Sequence, residues 1–273
     1  IAMQRYILRR LLTLIPTLFG ISIVVFLVMR LIPGDTISAM IGTQFQLTEA
    51  QAAALRAYFG LDKSLPEQYW VWLTSALRGD FGYSVRSGEP VLQEILRRFP
   101  LTLELAIFST LIGVGIGIPV GILSATRRGS PMDIGARTFA LLGMAAPSFF
   151  VGTIFIYVLS VYLGILPNAG KYVSLWEDPL KNLQQMIFPS LTLGIAFAAS
   201  VMRTTRSAML EQIHSDYVRT ARSKGLSEPV IVRSHLLRNA LIPIITLVGF
   251  EAGYLFGGAV IVEDVFALPG LGR

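Results

Sequence analysis

Five long apolar stretches that contain almost no charged residues divide the chain. A membrane-spanning helix needs about 20 predominantly apolar residues to cross roughly 30 Å of hydrocarbon, and these stretches are about that long or longer. The stretches are Leu11–Met29, Leu105–Thr126, Thr138–Gly170, Asn182–Met202 and Asn239–Val262, the last interrupted only by Glu251. The pattern therefore predicts an all-α polytopic membrane protein with five spans.

The first apolar stretch lies close to the N-terminus, behind Arg5, Arg9 and Arg10, as the core of a secretory signal peptide would. Its apolar run is longer than the usual core of about 7–15 residues, and no small-residue cleavage site precedes Arg30. We interpret it as a retained helix.

The third apolar stretch is longer than one span requires. Pro147 lacks a backbone N–H and is expected to break or kink the helix, which leaves residues 147–166 long enough to cross alone. Pro119 and Pro189 are expected to interrupt the second and fourth stretches in a similar way.

The composition supports the membrane interpretation. The chain is 53% hydrophobic and 15% charged, with a mean hydropathy of +0.62, whereas soluble domains carry about 25% charged residues. A soluble enzyme is therefore excluded. The absence of cysteine from the sequence also excludes a disulfide scaffold, Cys-based zinc sites, iron–sulfur clusters and thiol catalysis.

Basic residues alternate in their distribution between the predicted spans. Lys and Arg are in excess in residues 1–10, 127–137 and 203–238, and are balanced or outnumbered in residues 30–100, 171–181 and 263–273. Because cytoplasmic loops carry the basic excess, this alternation predicts an N-terminus inside the cell. The net charge of +6 then reflects topology, and we expect no nucleic-acid partner.

The charge pattern and the spans divide the chain into three regions. Residues 1–32 form the N-terminus and first span, residues 33–100 an extracytoplasmic segment, and residues 101–273 the transmembrane core. The segment contains a capping box, Thr48–Gln51, that opens a helical run ending near Gly60. A second helix is predicted from Glu67 to about Leu77, and its aromatic residues either pack on the membrane mouth or a partner, or form an interfacial belt.

Glycines recur at every fourth position in two of the predicted spans. Such spacing lets helix backbones approach closely, which is the usual basis of helix association in lipid. The two rows are Gly113, Gly117 and Gly121 in the second span, and Gly249, Gly253 and Gly257 in the fifth. We expect both rows to be packing faces.

Glu251 is the one acidic residue well inside the last span. A charge at mid-bilayer costs on the order of 2.5–3.5 kcal/mol, so its side chain should avoid lipid. It is two residues from Gly249 and from Gly253, hence about 200° around the helix from them. Two interpretations stay open: Glu251 lines a transport pathway, or it is hydrogen-bonded within the bundle.

The sequence lacks the motifs of a catalytic or metal site. It contains no GxSxG elbow and no HExxH motif, and its two histidines, His214 and His235, have no carboxylate at a metal-ligand spacing. It also lacks a P-loop, so energy for transport must come from an ion gradient or from another subunit. We therefore predict no catalytic residue, no metal ligand and no cofactor bound by this chain.

The basic segment 203–238 predicts two helices joined by a tight turn. Asp216 is expected to cap a short helix, Tyr217–Lys224, which ends at Gly225, and Ser227 then caps a helix that continues into the last span. The small side chain of Ala221 suits a helix that sits in a groove of another protein. The alternative is a basic loop that folds back on the membrane.

The sequence Asp216–Leu226, together with Leu237–Pro243, closely resembles the EAA loop of ABC importer permeases, in the form found in the dipeptide/oligopeptide/nickel branch. Ala221 and Gly225 match the general EAA pattern, whereas Arg219 and Thr220 replace the Glu and Ala of the broad consensus. A Pro expected near Arg238 is missing. Further motifs of this branch are Arg9-Arg10, Ile32–Asp35, Gly60–Asp62, Gln68-Tyr69, Gly79–Gly82, Pro100–Leu103 and Pro269–Arg273.

The resemblance implies the transmembrane domain of a type I ABC importer. It implies that the loop docks into a cleft of a cytoplasmic ATP-binding subunit. It also implies that the importer contains two such subunits, which use ATP and Mg, together with a homologous second permease subunit and an extracytoplasmic solute-binding protein. Members of the family have a sixth span after the Pro-Gly-Leu-Gly-Arg sequence, so a sixth span is expected beyond this chain. The residues implied in ATPase coupling are Asp216, Tyr217, Arg219, Thr220, Ala221, Arg222, Lys224 and Gly225.

The sequence predicts a non-catalytic permease subunit that imports di- or oligopeptides. We expect it in the cytoplasmic membrane of a prokaryote, where it contacts membrane lipid. The same machinery could serve nickel, glutathione or another small solute. A secondary transporter would need acidic or ion-binding residues in several spans, but only Glu251, with Glu104 at a span's edge, is available. An intramembrane enzyme would need catalytic residues that the spans lack.

Overall fold

The computed structural model describes residues 2–31, 60–84, 87–164 and 172–273, and these residues are almost entirely helical. The predicted capping box Thr48–Gln51 lies outside the described residues. Apart from an isolated bridge between Tyr83 and Pro90, the described part of the chain contains no β-structure. The helices are α1 (Ala2–Leu31), α2 (Leu65–Leu77), α3 (Val91–Thr126), α4 (Pro131–Ala145), α5 (Ser148–Tyr162), α6 (Pro179–Ile213), α7 (Asp216–Ser223), α8 (Glu228–Val230), a π-helical segment (Ile231–Leu236) and α9 (Leu237–Val265).

Within the described residues, four helical stretches are long and apolar enough to cross a membrane, and a bent pair raises the number to five if it counts as one span. The pair is α4 and α5, which meet at an angle of 102°. The break lies at Ala146 and Pro147, where the sequence predicted it. However, α5 has only 15 residues, fewer than the roughly 20 that a span needs. The described helix is therefore shorter than the span predicted over residues 147–166, of which residues 165 and 166 lie outside the described residues.

Pro119 and Pro189 do not interrupt their helices. Pro119 lies inside α3, a continuous helix of 36 residues, and Pro189 lies inside α6, which has 35 residues. Proline removes one backbone hydrogen bond, but in an apolar environment the other backbone groups have no water to bind instead, so the helix continues. The expected interruptions were wrong for this reason.

The chain divides into two compact units, Ile1–Glu94 and Ile95–Arg273. In the first unit, α1 contacts α2 through polar and aromatic groups. The hydroxyl oxygens of Ser22 and Tyr69 are 2.8 Å apart, and the ring of Phe26 meets the ring of Tyr69 edge-on at 5.4 Å. Most other apolar side chains of α1 are exposed, as expected of a helix that faces lipid.

The second unit is built around α6. In the most apolar part of this helix, 72% of the residues are buried. The glycines of α3 allow this helix to approach α6 closely. A Cβ atom on Gly117 would lie 2.7 Å from Cβ of Val201 and 2.8 Å from the carbonyl oxygen of Ala198, and Gly113 and Gly121 face Phe197 and Thr205 in the same way. Since real Cβ atoms do not approach other atoms so closely, the α3–α6 interface requires glycine at these positions.

The second row of glycines has a different environment. Among the described residues, no heavy atom lies within 4 Å of a Cβ atom placed on Gly249, Gly253 or Gly257. The expectation that this row packs closely is therefore not met within the described chain. The physical reason is that α9 turns its opposite side, with Leu255, Ala259 and Val262, into the core.

The end of α9 carries a fully buried carboxylate, that of Glu263. It accepts hydrogen bonds from the hydroxyl of Thr102 at 2.6 Å and from the backbone N–H of Gly272 at 2.8 Å. The backbone N–H of Leu271 donates to the Thr102 hydroxyl at 3.0 Å, and a Cβ atom on Gly270 would overlap the carboxylate. Two motifs far apart in the sequence, Pro100–Leu103 and Pro269–Arg273, are thus joined around one acid.

Candidate functional site

The short helix α7 begins one residue earlier than the sequence suggested. Ser215 occupies the N-cap position, and its hydroxyl donates to the carbonyl oxygen of Gln212 at 2.6 Å instead of capping the helix. Asp216 lies in the first turn, where its carboxylate forms an ion pair with Arg219. The prediction that Asp216 is the cap was therefore wrong. Its carboxylate in the first turn still stabilises the helix through a favourable interaction with the helix dipole.

The end of α7 is fixed by Gly225, as predicted. This residue has a φ angle of +77°, a left-handed conformation that glycine adopts without steric cost. Its N–H donates to the carbonyl of Arg222 at 2.9 Å, and the N–H of Leu226 reaches the carbonyl of Ala221 at 3.3 Å. This pair of bonds is the Schellman motif, which satisfies two carbonyl groups at a helix end.

The inner side of α7 packs on the core of its own chain. Val218 and Ala221 are 0% and 5% exposed, and they belong to the same buried cluster as Met209, Ile231 and Leu236. The suggestion that Ala221 sits in a groove of another protein was therefore wrong for its side chain. A small residue is needed at this position because α7 lies directly on the chain beneath it.

The outer side of α7 is polar and open. The side chains of Asp216 and Arg219 are 88% and 73% exposed, and Tyr217, Thr220 and Lys224 are also exposed. The hydroxyl of Tyr217 donates to Oε1 of Gln212 at 2.9 Å, which ties the ring to the end of α6. This outer face is the surface that α7 can offer to another protein.

Arg222 connects the two sides of the turn. Its guanidinium donates two hydrogen bonds to the carboxylate of Glu228, at 2.7 and 3.3 Å, and the hydrogen bond to Glu228 raises the pKa of Arg222 above its ordinary value. Bidentate pairing fixes the relative orientation of the two groups. The turn between α7 and α8 is thus held by a Schellman motif and an ion pair.

The helix that follows the turn contains an unexpected irregularity. Ser227 occupies the N-cap position of α8, as predicted, although its side chain makes no capping hydrogen bond. The chain then forms a π-helical segment, Ile231–Leu236, before α9 begins. Short π-helical segments in α-helices are frequent at functional sites. Ile231 and Leu236 anchor this segment in the core.

A buried ion pair near the end of α6 was missed by sequence reasoning. The side chain of Asp133, in the first turn of α4, is 1% exposed and forms an ion pair with Arg206 of α6. In the sequence, Asp133 is one charge of the segment 127–137 and Arg206 is one charge of the segment 203–238, and nothing local pairs them because they are far apart along the chain. Asp133 is three residues after Ser130 and two after Pro131, a pattern typical of a helix start, but this pattern does not indicate the partner of the acid.

Glu251 packs toward the bundle. The hydroxyl of Ser200 in α6 donates to its Oε1 at 3.0 Å, and the residue is partly buried. Of the two interpretations left open, this contact matches hydrogen bonding within the bundle, and the residue is still partly exposed.

No group of three or more metal-ligating side chains forms within the described ranges. His214 and His235 lie on either side of α7, and neither joins such a group.

Comparison with known proteins identifies similar sequences over the whole chain. Residues 117–273 match the family described as "Binding-protein-dependent transport system inner membrane component", and residues 3–106 match the N-terminal family of the same transport systems' membrane components. Curated relatives include the glutathione transport system permease protein GsiC of Escherichia coli (strain K12) and of Salmonella typhi. Each is 43% identical over 272 residues, which cover 99% of this chain and 85% of the relative.

Proposed function

Because the chain belongs to the family of binding-protein-dependent transport system inner membrane components, the permeases of ABC importers, we propose that it forms half of an ATP-driven translocation pathway and receives its driving movement through α7. We further propose that its N-terminus lies in the cytoplasm. The basic excess in residues 1–10, 127–137 and 203–238 supports this orientation, which puts α7 on the cytoplasmic side.

The observation that carries the proposal is the two-sided construction of α7. Its inner side, Val218 and Ala221, is locked to the core of the second unit, while its outer side presents Arg219, Thr220 and Lys224 to solvent. A helix built in this way transmits a displacement applied to its outer side, because it cannot move without the packed residues beneath it.

ATP hydrolysis is assigned to separate cytoplasmic subunits. The sequence contains no P-loop, and its relatives are named as permease proteins. We propose that two ATP-binding subunits dock on α7 of this chain and on the corresponding helix of a homologous permease subunit. An extracytoplasmic solute-binding protein would deliver the solute to the opposite mouth.

We propose short peptides as the transported solutes, with glutathione as the first to test. The motifs of the chain favour the dipeptide/oligopeptide/nickel branch, and the named relatives are permeases for glutathione, which is itself a tripeptide. The branch resemblance and the relatives' names therefore support the same chemical class.

The proposed function is tested with the permease co-expressed with its partner subunits and reconstituted in proteoliposomes. We expect uptake of labelled glutathione or dipeptide that requires ATP, whereas the purified chain alone should hydrolyse no ATP. Uptake driven by an ion gradient in the absence of ATP would contradict the proposal and favour a secondary transporter.

The docking role of α7 is tested by adding bulk on its outer side. Thr220 is exposed on α7, and Thr126 is exposed at the end of α3, so Thr220→Trp and Thr126→Trp form a matched pair. We expect Thr220→Trp to abolish assembly with the ATP-binding subunits or ATP-driven uptake, and Thr126→Trp to retain both. Wild-type uptake by Thr220→Trp would refute docking on this face.

A further inference from the structure

The carboxylate of Asp133 collects hydrogen bonds from three different parts of the second unit. Arg206 donates through Nε to Oδ1 at 2.7 Å and through a terminal nitrogen to Oδ2 at 3.0 Å. The hydroxyl of Ser124 donates to Oδ1 at 2.6 Å, and the backbone N–H of Gly129 donates to Oδ2 at 3.0 Å. With four donors on two oxygens, the buried charge is fully compensated.

These donors come from the end of α3, the turn that follows it, and α6. Ser124 lies at the end of α3, Gly129 in the turn between α3 and α4, and Asp133 in the first turn of α4, where its backbone N–H donates to the capping hydroxyl of Ser130 at 3.2 Å. Arg206 alone comes from α6. The ion pair therefore fastens α6 to the α3–α4 hairpin.

The position of Arg206 on α6 relates this contact to α7. From Arg206 the helix continues without a break to Ile213, and α7 begins at Asp216. At 1.5 Å per residue, this last stretch of α6 is only about 10 Å long. A rigid segment of two turns thus joins the ion pair to the helix that is proposed to receive the ATP-driven movement.

We propose that Asp133 and Arg206 are positioning residues that make the α3–α4 hairpin move together with α6 when α7 is displaced. This inference rests on the proposed function of α7. Bidentate pairing permits one relative orientation of α4 and α6, and removing one partner of a buried pair leaves an uncompensated charge. Without the pair, α6 can shift at its end while the hairpin stays behind, so the movement is not passed on.

Arg137 contributes less to this contact than Arg206. Its Nε lies 3.7 Å from Oδ1 of Asp133, and its side chain is 52% exposed, compared with 19% for Arg206. It also lies on α4, the same helix as Asp133, so it cannot connect α4 to α6. For this reason, substitutions of Asp133 and Arg206, and not of Arg137, test the connection between α4 and α6.

The proposal is tested by measuring solute uptake per ATP hydrolysed in the reconstituted importer. Asp133→Asn keeps the shape of the side chain and removes its charge, and Arg206→Lys keeps the charge and removes the bidentate geometry. Arg203→Gln is the control, because Arg203 is one turn away on α6 and exposed. We expect uptake per ATP to fall about 2- to 30-fold in Asp133→Asn, the range for residues that couple distant sites, to fall less in Arg206→Lys, and to stay unchanged in Arg203→Gln.

Each outcome bears on the proposal. An assembled Asp133→Asn importer with wild-type uptake per ATP would overturn it. If Asp133→Asn does not assemble, Arg206→Lys decides, and an unchanged ratio in that variant would overturn it as well. A purely structural role predicts that uptake and ATP hydrolysis decline together. Absence of ATP-dependent uptake in the wild-type importer would instead refute the proposed function.

Discussion

Replacing Gly225 perturbs the turn between α7 and α8 through the backbone alone. The residue has a φ angle of +77°, and among the described residues no heavy atom lies within 4 Å of a Cβ atom placed there. A new side chain therefore meets no clash, and the change in free energy arises from the left-handed conformation itself. Substitutions at this position therefore measure the free-energy cost of backbone strain without a contribution from lost packing.

The expected magnitude follows from the conformational preferences of the substituted residue. A left-handed conformation costs an ordinary L-residue roughly 1–2 kcal/mol, and Asn tolerates it better than most. We therefore expect about 1 kcal/mol for Gly225→Ala, more for the β-branched Gly225→Val, and least for Gly225→Asn. One or two kcal/mol corresponds to a factor of about 5–30 in the population of the native turn.

The assay is ATP-dependent uptake by the reconstituted importer, with ATP hydrolysis measured in the same vesicles. Uptake should decrease in the order Asn, Ala, Val at position 225, and more steeply than the thermal stability of the chain. Gly115→Ala is the matched control, since Gly115 is helical, has a negative φ angle and also has no described heavy atom within 4 Å of its Cβ position. It should be neutral or slightly stabilising.

The order of the series provides the refutation. Wild-type uptake in Gly225→Val would show that the geometry of the turn is not needed for coupling. Equal losses in Gly225→Ala and Gly115→Ala would show that the effect belongs to the substitution and not to the left-handed turn.

Three further predictions concern contacts inside the bundle. Gly117→Leu should lower the melting temperature, followed by tryptophan fluorescence, because overpacking costs about 1–3 kcal/mol; an unchanged melting temperature would contradict the close α3–α6 contact. Glu251→Gln should retain the hydrogen bond to Ser200 and most of the solute uptake, whereas Glu251→Leu should lose uptake. Full uptake by both variants would show that the side chain at position 251 has no polar role in transport. Glu263→Ala should destabilise the chain by about 1–3 kcal/mol for each hydrogen-bond donor left unpaired, the hydroxyl of Thr102 among them, and Glu263→Gln should destabilise it less. A melting temperature of Glu263→Ala equal to that of the wild type would contradict the buried contact.

The sequence by itself predicted the class of protein and the place of α7. Apolar length and the absence of charge are local properties, because any segment that crosses lipid must satisfy its own backbone hydrogen bonds. The turn at Gly225 is local as well, since the Schellman motif depends on a few consecutive residues. For these features the order of residues along the chain was sufficient.

Only the tertiary structure decided which side chains meet. Asp133 and Arg206 are 73 residues apart in the sequence, and Thr102 and Glu263 are 161 apart, so no local pattern pairs them. The same holds for the faces of the helices: the sequence showed two similar rows of glycines, but the packing of α6 against α3 buried the row at Gly117, while α9 turned the row at Gly253 away. Which face of a helix is buried depends on the neighbours that the fold supplies, and periodicity alone does not name those neighbours.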